Sequence, residues 1–316
     1  MKSLDATLRH VGLNHDLTIE QRKEIKTLTN EAKLKENSDK EEKNGDENIN
    51  DSERKTSGRK IKDFDQKDEK LRIGLLNIRS IIKNKKDDVN EIIRDKIDVL
   101  ILTETWHRSH DEISVLSAKP AEYSYVDYLR PYDANHGGLI IYFESIFKFR
   151  RLELQQLNTF EAIAIKIICN RNDYLFLAIY GPGSLPVTPM FFKELSSVLE
   201  SMTILTSNLV VACDFNVRVD RRDSPHTLTL FEIFDLFHIR NVINEPTHEL
   251  GGILDLIAIP CDILVSETQV FPSGIYSDHG LVQCYKREVH ILVWTLDGTK
   301  NNGLVTDCSS PSSNGP

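Results

Sequence analysis

The chain has 316 residues, 28% of them charged, and a formal net charge of −9. That length holds one large α/β domain with appendages or two modest domains, and the acidic balance argues against gripping nucleic acid by bulk electrostatics. It leaves a nuclease open, because carboxylates gathered at a metal site are offset by the cation and phosphate contacts need only a local cluster of Lys and Arg.

Near the start, Thr18-Ile19-Glu20-Gln21 has the spacing of a capping box, and Ile25, Leu28 and Ala32 follow at helical intervals. A short helical segment is predicted within residues 1–35. Residues 36–70 mix both charge signs with no apolar periodicity and read as a disordered linker. Its basic residues Arg54, Lys55, Arg59, Lys60 and Lys62 are interspersed with acids, as in a solvated tether rather than a nuclear-import signal.

From Leu71 the pattern changes to short runs rich in β-branched residues alternating with helices. Strands are predicted at Arg72–Leu76, Ile97–Leu102, Leu139–Phe143, Ala162–Ile168, Tyr174–Ile179, Leu209–Cys213, Leu254–Ile259 and Leu281–Tyr285. Helices are predicted at Asp87–Asp95, Pro189–Met202 and Leu228–Phe237. The second has the clearest signals, with Thr188 as cap, Pro189 at the first helical position and a stripe of Phe192, Leu195, Leu199 and Met202. Several neighbouring strands lie too close for helical crossovers and should pair as antiparallel hairpins, giving two packed mixed β-sheets with helices outside, in a folded domain over residues 71–287. Residues 288–316, increasingly rich in Gly, Asn, Ser and Pro, read as an unstructured tail.

Five cysteines in odd number, without a Cys-x-x-Cys pair, and an N-terminus without a basic-then-apolar signal segment fit a reducing intracellular compartment. No apolar run approaches the roughly 18 residues required to cross a bilayer, so a soluble protein with no membrane partner is expected.

Five motifs follow one another at or just after predicted strand ends: Asn77; Thr103-Glu104-Thr105-Trp106; Tyr180-Gly181-Pro182; Asp214-Phe215-Asn216; and Ser277-Asp278-His279. Together they hold what a metal-dependent phosphodiesterase requires: carboxylates and carboxamides for a hard cation and a phosphate, and an aspartate and a histidine for proton transfer. With Leu76-Asn77-Ile78-Arg79-Ser80, Gly137-Gly138-Leu139 and Leu254-Asp255-Leu256-Ile257, they resemble the endonuclease/exonuclease/phosphatase superfamily, and within it the apurinic-type endonuclease domain of non-LTR retrotransposons, from about Leu71 to Lys286.

The resemblance implies a four-layer α/β sandwich and a Mg²⁺-dependent DNA endonuclease, with Mn²⁺ as the alternative ion. The enzyme would nick one strand and leave a 3′-hydroxyl as primer for a reverse transcriptase. Glu104, Asn77 and Asp278 would surround the metal, Asp214 would orient or deprotonate the attacking water, and Asn216 would hold the phosphate. His279, paired with Asp255, would donate to a phosphoryl oxygen, and Tyr180 would bond the scissile phosphate where relatives similar to deoxyribonuclease I have histidine. Expected partners are DNA and, beyond it, RNA or a separate reverse transcriptase; the expected location is the nucleus where chromosomal DNA is the target. A phosphorylated small molecule or lipid as substrate, and a decayed copy that only binds, are the alternatives.

Three positions depart from the pattern. Arg79 stands where apurinic endonucleases have an aspartate, which favours ordinary over abasic DNA. Cys213 replaces a glycine common before Asp-Phe-Asn, and Ile253 replaces a Thr or Ser. The local basic residues offered for phosphate are Arg79, Lys83, Lys85 and Lys86, and Arg218, Arg221 and Arg222.

Overall fold

The computed structural model describes residues 70–287, apart from 83, 84, 132, 134, 135, 170 and 171, together with residues 24, 27 and 28. The predicted N-terminal segment, linker and tail otherwise lie outside the described residues. Among the described residues twelve strands form two six-stranded mixed sheets. The first has the order β11 (Val265–Val270), β12 (Val282–Arg287), β1 (Lys70–Asn77), β2 (Val99–Thr103), β4 (Leu139–Glu144), β3 (Tyr123–Tyr128). The second has the order β5 (Lys148–Leu152), β6 (Glu161–Cys169), β7 (Asn172–Tyr180), β8 (Leu209–Asp214), β10 (Asp255–Pro260), β9 (Ile239–Asn241). Among the described residues from 70 to 287, four helices accompany them: α1 (Lys86–Arg94), α2 (Ile113–Ala118), α3 (Pro189–Thr203) and α4 (Pro225–Leu236).

Alternation along the strands sorts their side chains into three apolar layers. Leu75, Ile101, Ile141, Ile165, Phe176 and Ile257 belong to the layer between the sheets. Leu175, Leu177 and Val211 face outward onto Leu195 and Leu199 of α3 and Phe234 of α4, while Leu76, Leu100 and Ile140 face Val89 and Ile92 of α1. This is the four-layer sandwich. Replacing Phe176, which is fully buried in the central layer, with alanine is expected to cost about 3–5 kcal/mol in denaturant unfolding.

Each sheet has the same pairing pattern: one parallel pair at its centre, β1 with β2 and β7 with β8, and antiparallel neighbours on both sides. The four strands absent from the sequence prediction, β3, β5, β9 and β11, are the four sheet edges. An edge strand faces solvent and gives up the apolar run that marks a central one. Thus β5 reads Lys-Phe-Arg-Arg-Leu with its first four residues exposed, and β11 is broken by a bulge between Val265 and Glu267. The short helix α2, with only Val115 and Ala118 buried, also escaped prediction. α4 begins a turn earlier than its apolar stripe suggests, with Ser224 as cap and Pro225 at the first helical position.

Candidate active site

The two parallel pairs end side by side, and their last residues build the site. Asn77 lies opposite Thr103 across β1 and β2, Tyr180 opposite Asp214 across β7 and β8, and Asp255 opposite Asp214 across β10 and β8. Beyond the strands the chain turns sharply. Arg79, Ser80, Glu104, Trp106 and Asn216, five of the seven non-glycine residues with positive φ among the described residues, stand in these turns. Backbone strain of this kind persists only where surrounding contacts over-determine it. Here the Ser80 N–H donates to the Glu104 carbonyl at 2.7 Å, and the Asn216 N–H donates to Asp214 Oδ1 at 3.0 Å. Gly181 makes a close approach obligatory: a Cβ there would lie 2.9 Å from the Phe215 carbonyl oxygen.

The Asn77 amide nitrogen donates to Glu104 Oε1 at 3.0 Å and to Asp214 Oδ2 at 2.9 Å, tying one carboxylate of each sheet together. The Tyr180 hydroxyl also donates to Glu104 Oε1, at 2.8 Å, so Glu104 is held from both sheets. Asn77 Oδ1 accepts from the Arg79 N–H at 3.2 Å, so ligating a metal through that oxygen requires the carboxamide to turn over. Asn216 does not continue the extended geometry expected of it. Its φ is 54°, and its amide donates to the Gly181 carbonyl at 2.8 Å, while Phe215 is buried behind it.

His279 Nδ1 lies 2.8 Å from Asp255 Oδ2. Like charges directly opposite across an antiparallel pair repel, and Asp214 and Asp255 are so placed, both fully buried. Burial and the Asp255 charge raise Asp214 to about 7, with His279 opposing the rise. Burial disfavours the imidazolium of His279, but the charge and hydrogen bond of Asp255, with Asp214 and Asp278 behind them, raise it to about 9. Both groups are thus raised, the carboxylate towards neutrality and the imidazole above it.

Asp278 carries an ion pair to Arg79, whose Nε is also 4.0 Å from Glu104 Oε2. Arg79 thus offsets the charge of two site carboxylates. Asp278 Oδ1 and Asp255 Oδ1 are buried with no hydrogen-bond partner among the described residues. The Ser277 hydroxyl donates to the Asn77 carbonyl at 2.5 Å and accepts from the His279 N–H at 3.0 Å, fastening the last motif to the first.

Cys213 causes no crowding: it lies inside β8 opposite Leu256 with its side chain in the outer core, in ordinary strand geometry. Ile253 packs against both adjoining apolar layers. Of the basic residues, Arg218 pairs with Asp220, Lys85 bonds the Tyr276 carbonyl and pairs with Asp88, and Arg222 lies over the Phe231 ring. Among those of them that the structure describes, Arg79 alone contacts the site carboxylates. Sequence reasoning did not find Arg130, which pairs with Glu161 and lies over the Tyr180 ring, or His248, whose ring packs against His279. Neither stands in a motif at a strand end.

A model of the Endonuclease/Exonuclease/phosphatase family matches residues 69–279, more than half of the chain. The chain belongs to this family. Among solved structures, the endonuclease domain of TRAS1, a telomere-specific non-LTR retrotransposon, is similar with a TM-score of 0.57 at 13% identity, covering 69% of this chain and 99% of that one. The AP endonuclease LMAP from Leishmania major gives 0.59 at 12% identity, over 70% and 88% of the two chains. The human Nocturnin catalytic domain gives 0.51 at 16% identity, over 69% and 93%. At these identities the likeness is one of fold. A search among curated proteins gave no match. Family members are endonucleases, exonucleases and phosphatases, and the site residues on this chain offer the carboxylates and histidine of that hydrolytic chemistry.

Proposed function

We propose that this chain is a metal-dependent DNA endonuclease of retrotransposon type, which hydrolyses a phosphodiester to nick its target and leaves a 3′-hydroxyl for target-primed reverse transcription. The observation that carries the reading is the convergence of Glu104, Asp214 and the His279–Asp255 pair at the ends of two adjoining sheets, joined through Asn77. The donor set fits a hard cation such as Mg²⁺ or Mn²⁺: among the described residues Glu104 Oε2 accepts no hydrogen bond, and Asp278 Oδ1 is a buried oxygen without one. Glu104 and Asp278 would hold the ion, with Asn77 after its amide turns. A bound cation would supply Lewis-acid stabilisation of charge on the phosphoryl and leaving oxygens.

Two of the chain's own groups serve the proton transfers at the attacking water and the phosphoryl oxygen. Asp214 takes a proton from water, whose oxygen attacks phosphorus as the bond to the 3′ oxygen breaks. That oxygen leaves as an alkoxide and takes a proton from solvent water to become the 3′-hydroxyl, and the phosphate stays on the 5′ side. His279, cationic and oriented by Asp255, donates to a phosphoryl oxygen as negative charge grows there. Tyr180 and Asn216 contact the phosphate. Tyr180 in place of the histidine of other branches supports a nucleic-acid substrate over a small phosphorylated molecule. Arg79 in place of aspartate supports ordinary DNA. A separate reverse transcriptase and its RNA are the partners this reading implies, and chromosomal DNA as target implies the nucleus. Among the described residues no helix is long and apolar enough to cross a membrane.

The test is a supercoiled-plasmid assay. The wild type should convert the plasmid to the open-circular form in Mg²⁺, stop on addition of EDTA, leave ends that a polymerase extends without prior phosphatase treatment, and release no phosphate from small phosphomonoesters. Glu104→Ala should lose the EDTA-sensitive product. Equal nicking by both proteins, or phosphomonoester hydrolysis without nicking, would overturn the assignment.

A further inference from the structure

Beside the proposed catalytic pair stands a second imidazole that the reaction above does not use. His248 lies in the turn between β9 and β10, and its backbone forms an isolated antiparallel bridge with His279. The turn is tightly fastened. The Thr247 and His248 N–H groups donate to the Gly252 carbonyl at 2.9 and 3.1 Å, the Gly280 N–H donates to the Thr247 carbonyl at 2.7 Å, and the Thr247 hydroxyl accepts from the N–H groups of Leu254 and Asp255 at 3.0 and 3.1 Å. The loop that carries His248 is therefore anchored on the two residues next to His279 and on the strand that presents Asp255. The rings of His248 and His279 meet edge to face with centroids 4.7 Å apart.

The position of the proton on His248 follows from its hydrogen bond. The Leu250 N–H donates to His248 Nδ1 at 3.1 Å, so Nδ1 carries the lone pair and Nε2 carries the hydrogen. Among the described residues Nε2 has no hydrogen-bond partner; Asp278 Oδ2 lies 3.8 Å from it and is already taken by Arg79. The ligand atoms of His248, Asp278 and His279 lie within 4.8 Å of one another, the composition of a transition-metal site. A metal on Nε2 would need the lone pair that the Leu250 contact assigns to the other nitrogen. The arrangement is that of a hydrogen-bond donor held over the catalytic dyad.

We propose that His248 presents Nε2–H, as a neutral donor, to an oxygen of the bound phosphodiester alongside His279. The inference rests on the endonuclease reading and adds to it a substrate-contacting residue outside the family motifs. It assigns the two imidazoles different tasks: His279 supplies a positive charge, and His248 supplies a directional N–H without adding a second charge to the cleft.

Two substitutions separate the donor from the packing. In His248→Asn the side-chain oxygen can take the place of Nδ1 and keep the Leu250 contact, while nothing replaces Nε2–H. In His248→Gln the amide nitrogen reaches the position of Nε2. His248→Asn should retain the wild-type melting temperature and lose about ten- to a hundredfold in the rate of plasmid nicking, and His248→Gln should recover most of it. Wild-type activity in His248→Asn, or no recovery in His248→Gln, overturns the inference while leaving the endonuclease reading intact. A second measurement does not depend on turnover: the His248 ring resonance, assigned by its loss in His248→Asn, should shift on titration with inorganic phosphate in the absence of Mg²⁺. An unmoved resonance overturns the inference whether or not the wild type nicks DNA.

Discussion

His279→Ala is expected to lower the rate of plasmid nicking by about a thousandfold and to destabilise the fold as well. The first effect follows from losing a cationic donor aimed at developing charge, for which removal of one donor in a preorganised site costs about 10²–10³ in rate. The second follows from Asp255, whose Oδ1 has no hydrogen-bond partner and whose Oδ2 is bonded to His279 Nδ1. Stranding a buried carboxylate costs about 3–5 kcal/mol, which denaturant unfolding will measure. Asp255→Asn separates the two effects. It removes the buried charge, should fold with smaller loss, and should still impair nicking, because the imidazolium loses the partner that raises it. Near-wild-type activity in His279→Ala would remove the histidine from the mechanism.

Asp214→Asn is expected to reduce nicking by a similar factor and to change the shape of the pH profile. The proposed mechanism requires Asp214 ionised and His279 protonated, so activity should rise through about 7 and fall through about 9. A bound cation can only move the acid limb to lower pH. Asp214→Asn should flatten the acid limb of whatever activity remains, and Asp255→Asn should move the alkaline limb down towards the ordinary histidine value of 6.5. A profile with the same two limbs in all three proteins would exclude both assignments.

On the acid limb stability should move the other way, and on the alkaline limb the same way. His279 is raised from 6.5 to about 9, so its contribution is complete below 6.5 and is lost as pH rises through about 9. Asp214 is raised from 3.8 to about 7, so the folded state holds its proton more tightly than the unfolded chain does. That contribution is complete below 3.8 and is lost as pH rises through about 7. Between about 7 and 9, where the site is poised to react, the Asp214 contribution is therefore already lost while that of His279 still favours the fold and declines as pH rises.

The central strands were legible because a strand covered on both faces must be apolar throughout, as in Val99-Leu100-Ile101-Leu102 and Leu209-Val210-Val211-Ala212. Their edges were not, since Lys148 to Leu152 and Val265 to Val270 pair on one side only and obey solvent as much as the core. The same contrast runs through the site. Asn77, Glu104, Tyr180, Asp214 and His279 stand at or beside the ends of strands that the pattern locates, so their convergence could be anticipated from the order of the motifs. His248 and Arg130 reach the site through turns, and nothing in the local spacing of Pro246-Thr247-His248 says which strand that turn will cross. Extrapolating extended geometry through Asn216 failed for a related reason: the strand stops at Asp214, where the chain must bend to pass Gly181.

The two bonds to Glu104 and Asp214 that cross between the sheets are reciprocal. Asn77, from the parallel pair of the first sheet, reaches the acid of the second; Tyr180, from the pair of the second, reaches the acid of the first. Sliding one sheet over the other by about 1 Å would stretch both bonds past their useful length together. Catalysis should therefore register a loosened interior well before the chain melts, and a packing defect far from any reacting atom can silence the enzyme while leaving it folded.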